Sequence, residues 1–162
     1  ELDSGVNVYG CSDTERSLRE MVTRYGGRFI EADGFREVND GIYSTGQIEG
    51  EYKNSSIMEQ SMVVRSGEGL AVITGCSHPG VVNIMERIRE LFPGERILLV
   101  LGGFHLGAAA REEIFSIAWK LREMGVEKAA PAHCTGDEAT DIFREVYGDD
   151  FIAAGAGKVL RI

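Results

Sequence analysis

From residue 70 onward, short apolar runs alternate with amphipathic ones at a regular interval. The run "LAVITG" at 70–75 has the length and continuity of a buried strand. The "GVVNIMERIRELF" that follows places Val81, Val82, Ile84, Met85, Ile88 and Leu91-Phe92 on one helical face, and Pro93-Gly94 ends it. The pair recurs as "RILLVLG" at 96–102 with "AAAREEIFSIAWKLREMG", closed by Gly125. It recurs again as "EKAAPAH" at 127–133 with "GDEATDIFREVYG", closed by Gly148. Pro131 makes this third strand the weakest of the three. The chain closes on "FIAA-GAGK-VLRI", which predicts a terminal hairpin. Strand–helix alternation at this period predicts an α/β fold with right-handed crossovers.

Residues 1–66 are less regular. "SDTERSLREMVTRYGG" predicts a helix capped by Ser12, with Glu15 as capping-box partner and Gly26-Gly27 as the stop. "RFIEA", "FREV" and "GIYSTG" are strand-like, and the polar "GQIEGEYKNSS" predicts an exposed loop. "QSMVVRSGEGLAVITG" predicts a hairpin turning at "SGEG". The organisation expected is one domain over 1–162, irregular to residue 66 and built of βα units from 67.

Composition narrows the function classes. The 162 residues are 43% hydrophobic, enough for a packed core. A net charge of −9 argues against nucleic acid and against anionic membranes as partners, since both are recognised by clustered Lys and Arg. Apolar stretches are far shorter than the ~20 residues that span a bilayer. Three cysteines without a CxxC do not suggest a disulfide framework. These features predict a cytoplasmic protein. The start at Glu1 suggests a fragment boundary.

The chain has three histidines, and each follows a predicted strand and precedes a predicted helix. His78 stands in "GCSHPG", His105 in "GGFHLG" and His133 in "PAHCTG", 27 and 28 residues apart. Loops of this kind converge on one edge of an open α/β sheet, where such sheets place ligands. The neighbouring glycines allow tight turns and close approach to a bound group. Neutral imidazole suits Zn²⁺ or Fe²⁺, and three histidines with an open position form a known catalytic zinc pattern. Cys76 and Cys134 lie beside these histidines in sequence; each is a soft ligand, a nucleophile or, the simplest reading, a small buried filler. Cys11 reads as structural. Asp33, Asp40, Glu59 and Asp137 lie near the candidate loops without standing out from an acid-rich surface.

"ITGCSHPGVVNIMERI", "VLGGFHLG", "PAHCTG" and the terminal "GAGKVLRI" resemble the metallo-β-lactamase superfamily. They look most like its branch of dihydropterin ribofuranosylaminobenzene-phosphate synthases and metal-dependent hydrolases. "NDGIYSTGQI" and "EQSMVVRSGEGLAVITGCSHPG" extend the resemblance to about residues 35–162. It implies an αβ/βα sandwich of two halves, of which this chain carries mainly the C-terminal one. It implies one or two Zn ions, or Fe or Mn, at one edge, held by His78, His133 and His105, and a small-molecule substrate. His105 falls where the superfamily usually has a bridging aspartate, so it is expected to bind one metal or to contact a substrate phosphate or leaving group. His105 and His78 are the expected catalytic residues, and Ser77, Gly103 and Phe104 the expected substrate contacts.

The superfamily's HxHxDH signature is absent, since residues 1–77 contain no histidine. Three arrangements fit that absence: a C-terminal fragment, a missing half supplied by another polypeptide, or a reduced site. The resemblance implies hydrolysis by metal-activated water, or condensation of a pterin with an arylamine ribose phosphate. Two other classes compete: a non-catalytic half-domain that self-associates through an exposed sheet face, and a cysteine enzyme using Cys76 with His78 or His105.

Overall fold

The computed structural model describes residues 5–161. In chain order the elements are β1 (Asn7–Gly10), α1 (Arg16–Arg24), β2 (Arg28–Glu31), β3 (Arg36–Asn39), β4 (Ile42–Ser44), β5 (Ile48–Tyr52) and β6 (Ser55–Glu59). They continue with β7 (Met62–Arg65), β8 (Leu70–Thr74), α2 (Val81–Leu91), β9 (Ile97–Gly103), α3 (Arg111–Glu123), β10 (Val126–Ala132) and α4 (Asp137–Tyr147). A six-stranded mixed sheet has the order β10-β9-β8-β7-β4-β3. β8, β9 and β10 run parallel, and β7, β4 and β3 extend the sheet antiparallel.

The parallel strands read as continuous apolar runs because both of their faces are covered. On one face Leu70, Val72, Ile97, Val100, Val126 and Ala129 share a core with α2, α3 and α4. Ile84, Met85 and Ile88 of α2, Leu121 of α3 and Phe143 of α4 are almost wholly buried there. Val82 and Leu91, expected in the α2 core, are only half-buried. On the other face Ala71, Leu99 and Ala130 form a smaller cluster under Ile152, Ala154 and Leu160. Pro131 is tolerated because β10 is an edge strand, where its missing N–H breaks no ladder on the outer side.

Three expectations fail. The terminal hairpin does not form: Lys158 N–H closes a turn on the Gly155 carbonyl, but Phe151 bridges Ala129 and the flanking residues pack on the sheet. Burial of Ile152 and Leu160 against the second cluster wins over pairing of the two arms. Ser12 does not cap α1; the helix starts after Glu15, and the Ser12 backbone N–H donates to Asp33 instead. The third failure is "GQIEGEYKNSS", which is no loop but the β5–β6 hairpin. Lys53 (φ 51°) and Asn54 (φ 60°) both adopt the left-handed conformation that a two-residue type I′ turn requires.

Cys11 follows β1 and is buried. Burial first, then the negative charges of Asp13, Asp33 and Glu59, push its thiol pKa up. A raised pKa leaves less thiolate at mildly alkaline pH, and the thiolate is the nucleophile. Cys11 is therefore expected to alkylate more slowly than a free thiol near pH ~8 and to speed up only above the ordinary thiol range. Peptide mapping after timed alkylation checks this; Cys11 modified at the free-thiol rate contradicts it.

Candidate functional site

The loops after β8, β9 and β10 lie side by side at one end of the sheet. Each holds one non-glycine residue in the left-handed region: Ser77 (φ 64°), His105 (φ 52°) and His133 (φ 52°). Such a conformation costs about 1 kcal/mol or more each and persists only where the surroundings enforce it. Here hydrogen bonds between the loops do so. The Ser77 hydroxyl donates to the Gly103 carbonyl at 2.5 Å, and the Gly103 N–H donates to the Gly75 carbonyl at 2.9 Å. The Phe104 N–H donates to the Thr135 hydroxyl at 3.1 Å, which in turn donates to the Ala132 carbonyl at 2.6 Å.

His78 is held twice by one carboxylate. Its backbone N–H donates to Glu59 Oε2 at 2.8 Å, and its ring Nδ1 lies 2.5 Å from Glu59 Oε1. The imidazole is thereby fixed in orientation with Nε2 left for a ligand or a proton. The His105 ring lies 4.5 Å from the His78 ring, and the Tyr52 ring packs 4.6 Å from His78 and 6.0 Å from His105. Glu59 and Tyr52 both come from the β5–β6 hairpin, which presses on the His78 loop. A Cβ on Gly50 would stand 2.5 Å from the Pro79 nitrogen, so only glycine allows that approach. A cleft of about 260 Å³ adjoins the pair, lined by His78, His105, Asn83 and Glu113 with Val82 and Ile117 as apolar walls.

The three histidines do not meet as one set. His78 pairs with His105, whereas the exposed His133 ring lies with the Cys76 and Cys134 sulfurs, one donor atom of each within 4.8 Å of the others. Among the described residues this is the one group of three or more His, Cys, Asp and Glu donors so clustered. The division follows from the strand order: β9 lies between β8 and β10, and the residues preceding His78 and following His133 cross over it. The Cys134 thiol donates to the Cys76 carbonyl at 3.5 Å. Burial, and after it the Cys134 thiol, raise the Cys76 pKa.

The expected substrate contacts are given other work. Ser77 is buried with its hydroxyl spent on Gly103. Phe104 is 1% exposed, its ring 5.2 Å from Phe143 in the core. Gly103 is buried between Gly75 and Cys134, so its bareness serves chain-on-chain packing rather than approach to a ligand. All three border the site, but none turns a free polar side-chain group to it. The sequence places Glu59 near the candidate loops without marking it out from the other acidic residues there, and does not point to Tyr52. The signal available was the period-two pattern of Ile48, Gly50 and Tyr52, with Asn54 as a turn residue.

The donor set suits a divalent metal. An imidazole whose second nitrogen is fixed by a carboxylate is the usual form of a metal-bound histidine. Imidazole and thiol together favour zinc or ferrous iron over harder ions.

No family model matches the chain. The structure resembles the crystal structure of a metal-dependent hydrolase of the β-lactamase superfamily, with a TM-score of 0.78 and 32% identity, covering 99% of this chain and 72% of that one. By sequence it is 29% identical over 90% of its length to 7,8-dihydropterin-6-methyl-4-(β-D-ribofuranosyl)-aminobenzene-5′-phosphate synthase of Methanocaldococcus jannaschii. It is also 32% identical over 56% of its length to an uncharacterized protein of the same organism. The chain spans 57% and 33% of the length of these two relatives.

Proposed function

Because this chain belongs to the metallo-β-lactamase superfamily, we propose that it is a metal-dependent enzyme working at the loops after β8, β9 and β10. The observation that carries the reading is the Glu59–His78 pair beside His105 at the mouth of the cleft. His78 and His105 hold one ion, and His133 belongs to a second position beside them. A bound zinc, iron or manganese ion supplies Lewis acidity and a water acidic enough to ionise near neutral pH. Glu59 holds the His78 ring in one tautomer and orientation. Tyr52 covers the two imidazoles and limits water around them. His105, exposed and unburdened by a carboxylate, is the second imidazole turned to that ion. The substrate is a small molecule sized to the cleft, and the reaction is hydrolysis.

The relative that acts as a pterin–arylamine ribose-phosphate synthase, matched over 90% of this chain, favours a second reading. In it the same residues assist departure of a leaving group from a pterin while an arylamine attacks.

Elemental mass spectrometry of protein purified without chelator or affinity tag tests the proposal. One or two zinc, iron or manganese ions per chain are expected. A chain that purifies metal-free and takes up none on dialysis overturns it.

A further inference from the structure

We propose that Cys76 and Cys134 ligate metal as thiolates, completing with His133 a sulfur-rich zinc position at the ends of β8 and β10. This rests on the reading of the loop edge as a metal centre, but assigns donors that reading does not use. The three donor atoms already lie within 4.8 Å of one another. With Zn–S near ~2.3 Å and Zn–N near ~2.0 Å, tetrahedral ligands stand about 3.5–3.8 Å apart, so side-chain rotation of about an ångström closes the site.

Gly103 makes the meeting possible. The two cysteines lie on loops flanking β9, and the backbone between them must be bare for the sulfurs to approach. A Cβ at Gly103 would stand 2.8 Å from the Cys134 sulfur and 3.3 Å from the Cys76 Cα. Both thiols are free, and both are half-buried rather than packed away as core fillers are. The bond from the Cys134 thiol to the Cys76 carbonyl is long and weak, so ionisation sacrifices little. His133 is exposed, which leaves the fourth position of the ion open to solvent or substrate. Two thiolates and one imidazole with an open place are a donor set that zinc enzymes use, and it excludes hard ions such as magnesium.

Cobalt(II) titration of the full chain, kept reduced by a phosphine, tests the assignment. Sulfur-to-cobalt charge-transfer absorption in the near ultraviolet is expected. It is expected to fall to about half or less in Cys76→Ser and in Cys134→Ser, to vanish in the double serine variant, and to persist in His78→Ala. A second measurement needs no variant: zinc is expected to protect two of the three thiols from alkylation, leaving the slow reaction of Cys11 unchanged. Cobalt bound without sulfur absorption, absorption that survives in the double serine variant, or no cobalt bound at all overturns the assignment. Cobalt bound without the sulfur band leaves the metal-enzyme reading standing. The sulfur band in a chain whose His78→Ala variant binds every ion unchanged has the opposite consequence.

Discussion

Gly102→Ala is expected to destabilise the chain by about 3 kcal/mol or more, with loss of the folded state at moderate denaturant. Gly102 lies in β9 opposite Thr74 at φ +140°, a backbone conformation that L side chains rarely adopt. A Cβ there would stand 2.3 Å from both the carbonyl and the hydroxyl oxygen of Thr74. The carbonyl belongs to the neighbouring central strand and has nowhere to move, so strain and collision add. Gly107, in the same "GGFHLG" stretch, is the control. A Cβ there meets its nearest atom at 3.6 Å, an ordinary contact, and Gly107→Ala is expected to change stability by less than about 0.5 kcal/mol. Urea unfolding followed by circular dichroism measures both. A Gly102→Ala midpoint close to the parent's would mean that β8 and β9 do not approach as described.

That contrast separates what a sequence can reveal from what it cannot. The succession β8-α2-β9-α3-β10-α4 was legible because each run advertises its burial locally. Leu70 to Ile73 is apolar throughout, and Pro93, Gly125 and Gly148 end the helices. The convergence of His78, His105 and His133 on one edge followed from that succession alone. Their partition did not. Which imidazole meets which neighbour depends on β9 lying between the other two loops and on the bareness of Gly103, and neither is visible until the strands are side by side. Glu59 was hidden for a similar reason. It is one acidic residue among 26 Asp and Glu, and it reaches His78 only because β6 is one arm of a hairpin folded over that loop. The hairpin itself lacked the usual Asn-Gly or Asp-Gly signal, since its turn is Lys53-Asn54. The terminal hairpin failed the other way: a good turn was present, but tertiary burial claimed its arms.

His78→Ala is expected to lower affinity for the ion not ligated by sulfur by on the order of 100-fold, with the fold retained. The fold survives because the His78 side chain takes no part in the core that α2, α3 and α4 build on the sheet. The affinity falls because His105 alone is then left on that side of the edge. Glu59→Gln keeps the size of the side chain and removes the charge that fixes Nδ1. A carboxylate acting behind a ligand is worth about tenfold or somewhat more in metal affinity, so a loss of about tenfold is expected. The two losses should not add. Glu59 acts on the metal through His78, so in the His78→Ala background Glu59→Gln is expected to do almost nothing, and the double variant should match His78→Ala alone. Competition against a chromophoric chelator gives the four affinities, and far-ultraviolet circular dichroism confirms that each variant is folded. Additive losses would place Glu59 directly on the ion and make it a ligand. Unchanged affinity in folded His78→Ala would remove His78 from the metal altogether and leave the Glu59–His78 pair as a proton-handling dyad facing the cleft.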